Sequence, residues 1–267
     1  MTFVFRIVKE QLKHIHLIFR LAFFEIKSKY QMHYLGSLWQ IIQPATIIAV
    51  YWFVFGIGIR GGSPIGDTPY FVWLIVGLIP WLFISASIVQ GSNSIYSKIS
   101  LVSKMNFPVS VLPSISIVGN SFNFLFMLLA VGIILYIYKI TPGIYLLQLP
   151  YYLLCTFLFL YSFTLLFSTI STIIRDVQNT LQSVVRMMLY LLPIVWDVHK
   201  LPEKIVTILK LNPVFYIIIG FRDTFLGGKW FFEDLLYTIY FWVTTLLILY
   251  LGSILHLKFR NKFVDYL

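Results

Sequence analysis

The chain is short of charge, and shortest of negative charge. Of its 267 residues only 11% are charged, and ten are Asp or Glu. A soluble domain carries about 25% charged residues, so the composition excludes an ordinary soluble protein. There is one cysteine, Cys155, inside an apolar run, which excludes a disulfide framework within the chain. Cys/His clusters with metal spacing are missing, and His14 and His16 point to different faces of a helix. No G-x-x-x-x-G-K-[ST] phosphate loop occurs. At the nearest lookalike, Gly227-Gly228-Lys229, Asp223 stands where the first glycine belongs and Trp230 follows the lysine. Long apolar runs hold no paired carboxylates, which speaks against an enzyme of the membrane interior. It also speaks against an ion-coupled carrier, which places acids at mid-membrane. The expectation is a chain with no catalytic residue, metal site or cofactor of its own, so any active transport draws its energy from elsewhere.

What is present is apolar residue in quantity: 59% of the chain, with 25 Phe, 17 Tyr and 7 Trp, and a mean hydropathy of +0.87. A spanning helix needs about 20 mostly apolar residues. Six such segments are predicted, at about 37–59, 70–90, 109–138, 149–174, 179–196 and 234–257. The third is long for one span, and Pro113 is a candidate kink. Between the fifth and sixth, 197–230 carries eight charges; its longest uncharged run, Leu211 to Phe221, is too short to span and suits a helix that dips in and returns. Asn212-Pro213 marks a break before it and Gly227-Gly228 a turn after it.

The first thirty residues lack the continuous apolar core of a cleavable signal peptide. Phe5, Val8, Leu12, Ile15, Phe19, Ala22 and Ile26 repeat at steps of three and four, with Arg6, Lys9, Glu10, Lys13, Arg20 and Lys27 opposite. That pattern predicts a basic amphipathic helix in the headgroup plane. Lys and Arg total twelve on the side of the termini, the 91–108 loop and Arg175, against seven on the other. Both termini are therefore expected in the cytoplasm, in a multi-pass protein of the cytoplasmic (inner) membrane. The net charge of +10 then fits an anionic leaflet, not nucleic acid.

Arg186 lies within the fifth segment, about seven residues or roughly 10 Å along it. It is either a cation facing a path for a phosphate-bearing substrate or a side chain snorkelling to headgroups. Most aromatics are expected to face lipid or core, and Gly58 and Gly62 form a small-x-x-x-small pair suited to close helix packing. The loop GSNSIYSKISLVSKMNFP, 91–108, interleaves Ile95, Ile99, Leu101 and Val102 with Ser, Lys98 and Lys104. It reads as a short amphipathic helix, either an interfacial loop or a docking knob for a soluble partner.

Residues 78–114, with FFEIKSKYQMHYLGSLWQIIQP (23–44) and LNPVFYIIIGFRDTFLGG (211–228), resemble the ABC-2 type polysaccharide-export permeases. YWFVFGIGIR (51–60) and LVSKMNFP (101–108) look most like the wall teichoic acid translocation permeases of Gram-positive bacteria, with O-antigen or capsule permeases the closest alternative. An independent channel or ion-coupled carrier is the reading from another class. The resemblance implies an all-α membrane protein of one ABC-2 type domain, 1–267. It would comprise an amphipathic interfacial segment at 1–34, six transmembrane helices within 35–257, an external re-entrant segment and a cytoplasmic tail at 258–267. It also implies a second copy of the chain and two copies of an ABC ATPase subunit that binds the ATP and Mg. The substrate would be a polymer on a polyprenyl-pyrophosphate lipid, entering between the first and fifth helices. The expected ATPase-coupling residues are Tyr96, Lys98, Ile99, Leu101, Val102, Lys104, Met105, Arg175 and Asp176; the expected substrate-path residues are Trp39, Arg186 and Tyr190.

Overall fold

The structure, a computed structural model, describes residues 2–31, 34–98, 107–198, 201–260 and 263. Among them every regular element is helical, as the apolar runs predict. Two short helices open the chain, α1 (Thr2–Lys13) and α2 (Ile15–Gln31). The first span is α3 (Trp39–Tyr51), which continues as a π-helix over Trp52–Ile59. Then come α4 (Tyr70–Ser92), the single turn α5 (Ser94–Ser97), α6 (Leu112–Ile137), α7 (Leu149–Ile173), α8 (Asp176–Leu191), α9 (Glu203–Lys210), α10 (Pro213–Leu226) and α11 (Leu235–Phe259). Among the described residues five spans are long and apolar enough to cross a membrane: Trp39–Ile59, Tyr70–Ser92, Val109–Ile137, Gly143–Ile173 and Leu235–Phe259. A sixth is counted if α9 and α10, bent 105° at Leu211-Asn212, are taken together.

α4 is apolar on all sides, and a helix of that kind belongs in the middle of a bundle. It packs against α6, α7, α8 and α10, and 78% of its most apolar window is buried. Phe83 on α4 stacks on Phe124 of α6 with ring centroids 4.4 Å apart. α7 turns a seam of small polar residues inward: Ser162, Thr164, Ser168, Thr169 and Thr172 are buried, each hydroxyl bonded to a carbonyl one turn back. Their small size lets α11 approach closely; a Cβ on Gly252 would stand 3.1 Å from the Leu166 backbone nitrogen.

Several boundaries differ from expectation, each for a local reason. Pro113 does not kink the third span. It lies in the first turn of α6, where its missing N–H costs nothing, after a 3-10 turn at Val109–Val111. The fifth segment, expected at 179–196, is helical only to Leu191. Pro193 cannot continue it, and Leu192 takes an extended conformation. The N-terminal segment is two helices parted at His14, not one. It also has a third face that the two-sided pattern hid. Phe5, Val8, Leu12, Ile15 and Phe19 are exposed as a lipid-seeking stripe should be, while Ile7, Ile18 and Ala22 are buried against the bundle. The segment expected to be re-entrant is α10, fourteen residues long; Asn212 caps it by accepting from the Val214 N–H at 3.0 Å, Pro213 occupies the first turn and Gly227 ends it at φ +74°.

Candidate functional site

Three features distinguish the two ends of the bundle. The first is a cleft of about 460 Å³ between α3, α4, α6 and α8, lined among others by Gln43, Gln90, Asn120, Asn123, Gln182 and Arg186. A smaller hollow of about 100 Å³ shares Gln90, Asn120 and Asn123 with it and adds Glu25 and Gln40. The two make one amide-lined path from α2 toward Arg186. Each helix supplies its polar groups at helical spacing: Gln40 and Gln43, Asn120 and Asn123, Gln182 and Arg186. Carboxamides both donate and accept without carrying charge, so this path suits hydroxyl-rich or phosphate-bearing groups. The pairs are visible in the sequence as polar residues three or four apart in apolar runs, a signal that the search for charges passed over. Arg186 is exposed, and its Nε donates to the Gln182 carbonyl on its own helix at 3.3 Å. No acid pairs with it among the described residues. Tyr190, one turn on, is exposed and lies beside Tyr51 of the first span. Trp39, one turn before Gln43, is exposed at the start of α3. Of the three expected path residues, Arg186 lines the cleft and the other two flank it in sequence.

The second feature lies at the end of the bundle that carries α1 and α2. Here the turn between α7 and α8 meets the segment after α4. The Arg175 guanidinium sits 3.3 Å from the centre of the Tyr96 ring and donates to Asn93 Oδ1 at 3.1 Å. Lys98 forms an ion pair with Glu25 of α2. Gln178 on α8 donates to the Val89 carbonyl at 3.0 Å. Asp176 is exposed in the first turn of α8, where the helix dipole favours an acid. Tyr96, Lys98 and Arg175, expected together as coupling residues, thus form one cluster tied to α2. Ile99, Leu101, Val102, Lys104 and Met105 lie outside the described residues. α1 is anchored nearby: Glu10 accepts from Ser110 Oγ at 2.6 Å and pairs with Arg260 at 3.0 Å, and Gln11 donates to the Ser110 carbonyl at 2.9 Å.

The third feature, at the opposite end, was missed. Arg222, counted in the sequence only as a charge in a polar stretch, is 6% exposed. Its guanidinium carbon lies 3.5 Å from the centre of the Trp73 ring, and it donates to the carbonyls of Pro193 and, at 3.0 Å, Ile194. Tyr70 Oη donates to the next carbonyl, Val195, at 2.8 Å. Those carbonyls lie just past the end of α8, in backbone outside any helix, and Arg222 and Tyr70 supply their donors. Gly77 makes room: a Cβ there would come within 2.6 Å of Arg222 Nη2. Arg222 therefore ties α10 to α4 and to the unwound end of α8.

The profile of the ABC-2 type transporter family matches residues 16–226. The chain belongs to that family. It is a multi-pass membrane permease of the ABC transporter type, and its relatives agree in extent. It is 26% identical over 244 residues to an O-antigen export system permease protein RfbA of Klebsiella pneumoniae, covering 91% of this chain and 92% of the relative. A Myxococcus xanthus protein of the same name is 26% identical over 222 residues, covering 82% and 84%.

Proposed function

We propose that this permease is the membrane subunit of an ATP-driven exporter that moves a lipid-linked polysaccharide of the O-antigen class across the cytoplasmic membrane. The observation that carries the reading is the amide-lined cleft that reaches the exposed Arg186. Its amides match sugar hydroxyls, and the cation matches the phosphates of a lipid carrier. Relatives across more than nine-tenths of the chain bear the O-antigen name, which moves a polysaccharide ahead of the wall teichoic acid expected first. Teichoic acid stays the second reading, on the residues at 51–60 and 101–108.

In this scheme both termini and the Tyr96–Lys98–Arg175 cluster face the cytoplasm. Two ATPase subunits, carrying ATP and Mg, dock on that cluster and on the segment through Met105. A second copy of the chain covers the first span, since only 6% of the most apolar window of Trp39–Ile59 is buried within one chain. ATP binding pulls on the 91–108 segment and the α7–α8 turn together, and α8 carries that movement to Arg186.

The test is surface display of the glycan in cells that lack their own exporter and express this chain with its ATPase. Wild type should display glycan. Arg186→Gln should lower display about tenfold or more with unchanged protein level, since a charge-assisted phosphate contact contributes roughly 1.5–3 kcal/mol; Arg186→Lys should retain part of it. Normal display in both variants would refute the role of Arg186. Display of a polyol phosphate, and not a glycan, would favour the second reading.

A further inference from the structure

A larger cavity, about 670 Å³, opens at the end of the bundle opposite α1 and α2, between α9, α10, the 227–234 turn and the start of α11. Its volume falls within the range of small-molecule sites, about 300–1,000 Å³. Aromatic rings supply much of its wall: Tyr216, Trp230, Phe231 and Tyr237. They are fixed in place. Tyr216 and Tyr151 share a hydrogen bond at 2.9 Å, and Tyr151 stacks on Phe231 at 4.0 Å. Gln148 accepts from the Phe231 N–H at 3.2 Å and donates to the Lys229 carbonyl at 3.1 Å, clamping the turn that carries Trp230. Folding does not require such a hollow beside a set of braced rings, and neither the cleft at Arg186 nor the coupling cluster makes use of it.

The polar groups on the same wall are balanced. Glu203, Asp223 and Asp234 face Lys210, Arg222 and Lys229, three acids against three bases. Two groups have a hydrogen-bonding atom without a partner. Arg222, more than nine-tenths buried, has no partner for its Nε, and the buried Tyr237 hydroxyl has none either among the described residues. Buried polar atoms are rarely left this way unless something else pairs with them.

We infer that this cavity is a second substrate subsite, which holds a neutral pyranose unit of the exported glycan at the exit end of the permease. A pyranose has an apolar C–H face, which suits the rings, and an edge of hydroxyls that both donate and accept. Carboxylates, ammonium groups and a guanidinium on one wall serve both directions. A polyol phosphate fits badly: each phosphate would meet as many carboxylates as cations, whereas phosphate sites gather Arg and Lys without acids. The subsite would keep the leading sugar from slipping back between strokes. It rests on the exporter reading above, and it adds a preference for neutral sugar over phosphate.

The test uses purified full-length permease in detergent and saturation-transfer NMR. The probes are neutral trisaccharides of glucose, mannose, galactose and N-acetylglucosamine, and a glycerol phosphate trimer. At least one neutral trisaccharide should bind saturably and the glycerol phosphate trimer should not. Trp230→Ala and Glu203→Gln should each weaken binding about tenfold or more, roughly one lost charge-assisted contact or ring face. Glu203 is exposed in the first turn of α9, so that variant folds even if the tryptophan variant does not. Lys9→Gln, exposed on α1 and lining neither cavity, should bind as wild type. Binding of the glycerol phosphate trimer alone, binding of no probe, or binding indifferent to both cavity substitutions would overturn the subsite. Glycan display in cells reports the exporter reading separately: display without trisaccharide binding sinks the subsite and leaves the exporter standing.

Discussion

At the scale of single residues, Arg222 shows how a cation can be structural inside an apolar bundle. Charge in such a place is expensive unless most of its donors find acceptors or a ring face. The backbone just past α8 supplies the acceptors, and Trp73 supplies a ring face. Arg222→Met should therefore destabilise the permease by about 2–4 kcal/mol, two charge-assisted hydrogen bonds less the relief of burying a charge. Gly77→Ala should cost about 1–3 kcal/mol by pressing a methyl group on the guanidinium. In Arg222→Met/Gly77→Ala the second cost should largely vanish, because the clash needs both partners. Urea unfolding in mixed micelles, followed by tryptophan fluorescence, gives the cycle. Strict additivity would mean that Gly77 is not there to accommodate Arg222.

At the scale of elements, the ion pair between Lys98 and Glu25 links α2 to the segment after α4. Both side chains are partly exposed, so the pair contributes no more than about 1 kcal/mol to stability. Its value would lie in holding the proposed coupling segment in register with the N-terminal helices. Lys98→Glu should leave the unfolding midpoint nearly unchanged while lowering recovery of the ATPase in co-purification from membranes. Adding Glu25→Lys should restore recovery by reversing the pair. If the double reversal recovers no more ATPase than the single change, the pair does not set the dock. The N-terminal helices carry a related lesson. Periodicity correctly separates the apolar stripe of Phe5, Leu12 and Phe19 from the basic face. It cannot separate a face meant for lipid from one meant for protein. Ala22 reads as a member of the same stripe as Phe19, and nothing marks Ile7, until packing buries both against the bundle, with Glu10, Gln11 and Arg260 anchoring α1.

For the whole molecule, the unequal burial of the spans is the main observation. α4 is enclosed, whereas Ile41, Val50, Phe53 and Ile59 of the first span are exposed. Some of that surface faces lipid; in the proposed assembly, part faces a second copy. Light scattering of the permease extracted in mild detergent, corrected for bound detergent, should give about twice the chain mass of 31.2 kDa. A single-chain mass in a preparation that still binds ATPase would remove the homodimer from the scheme.

The sequence by itself determined the class of protein: few charges, long apolar runs and basic termini leave little besides a helical membrane domain. It determined five of the spans to within a few residues, and the ends of α10, because a lipid environment forces backbone groups to pair within each helix and so makes length and hydropathy decisive. Asn212, Pro213 and Gly227 marked the ends of that helix through local backbone chemistry, which needs no tertiary partner. Tertiary structure alone decided which polar residues matter. Gln43, Gln90, Asn120 and Arg186 are far apart in the chain and meet only because α3, α4, α6 and α8 pack side by side. Arg222 reads as one more loop charge until Pro193 stops α8 and leaves carbonyls within its reach. Hydropathy sums over a window of neighbours; a site is an arrangement of distant residues, and packing alone brings those together.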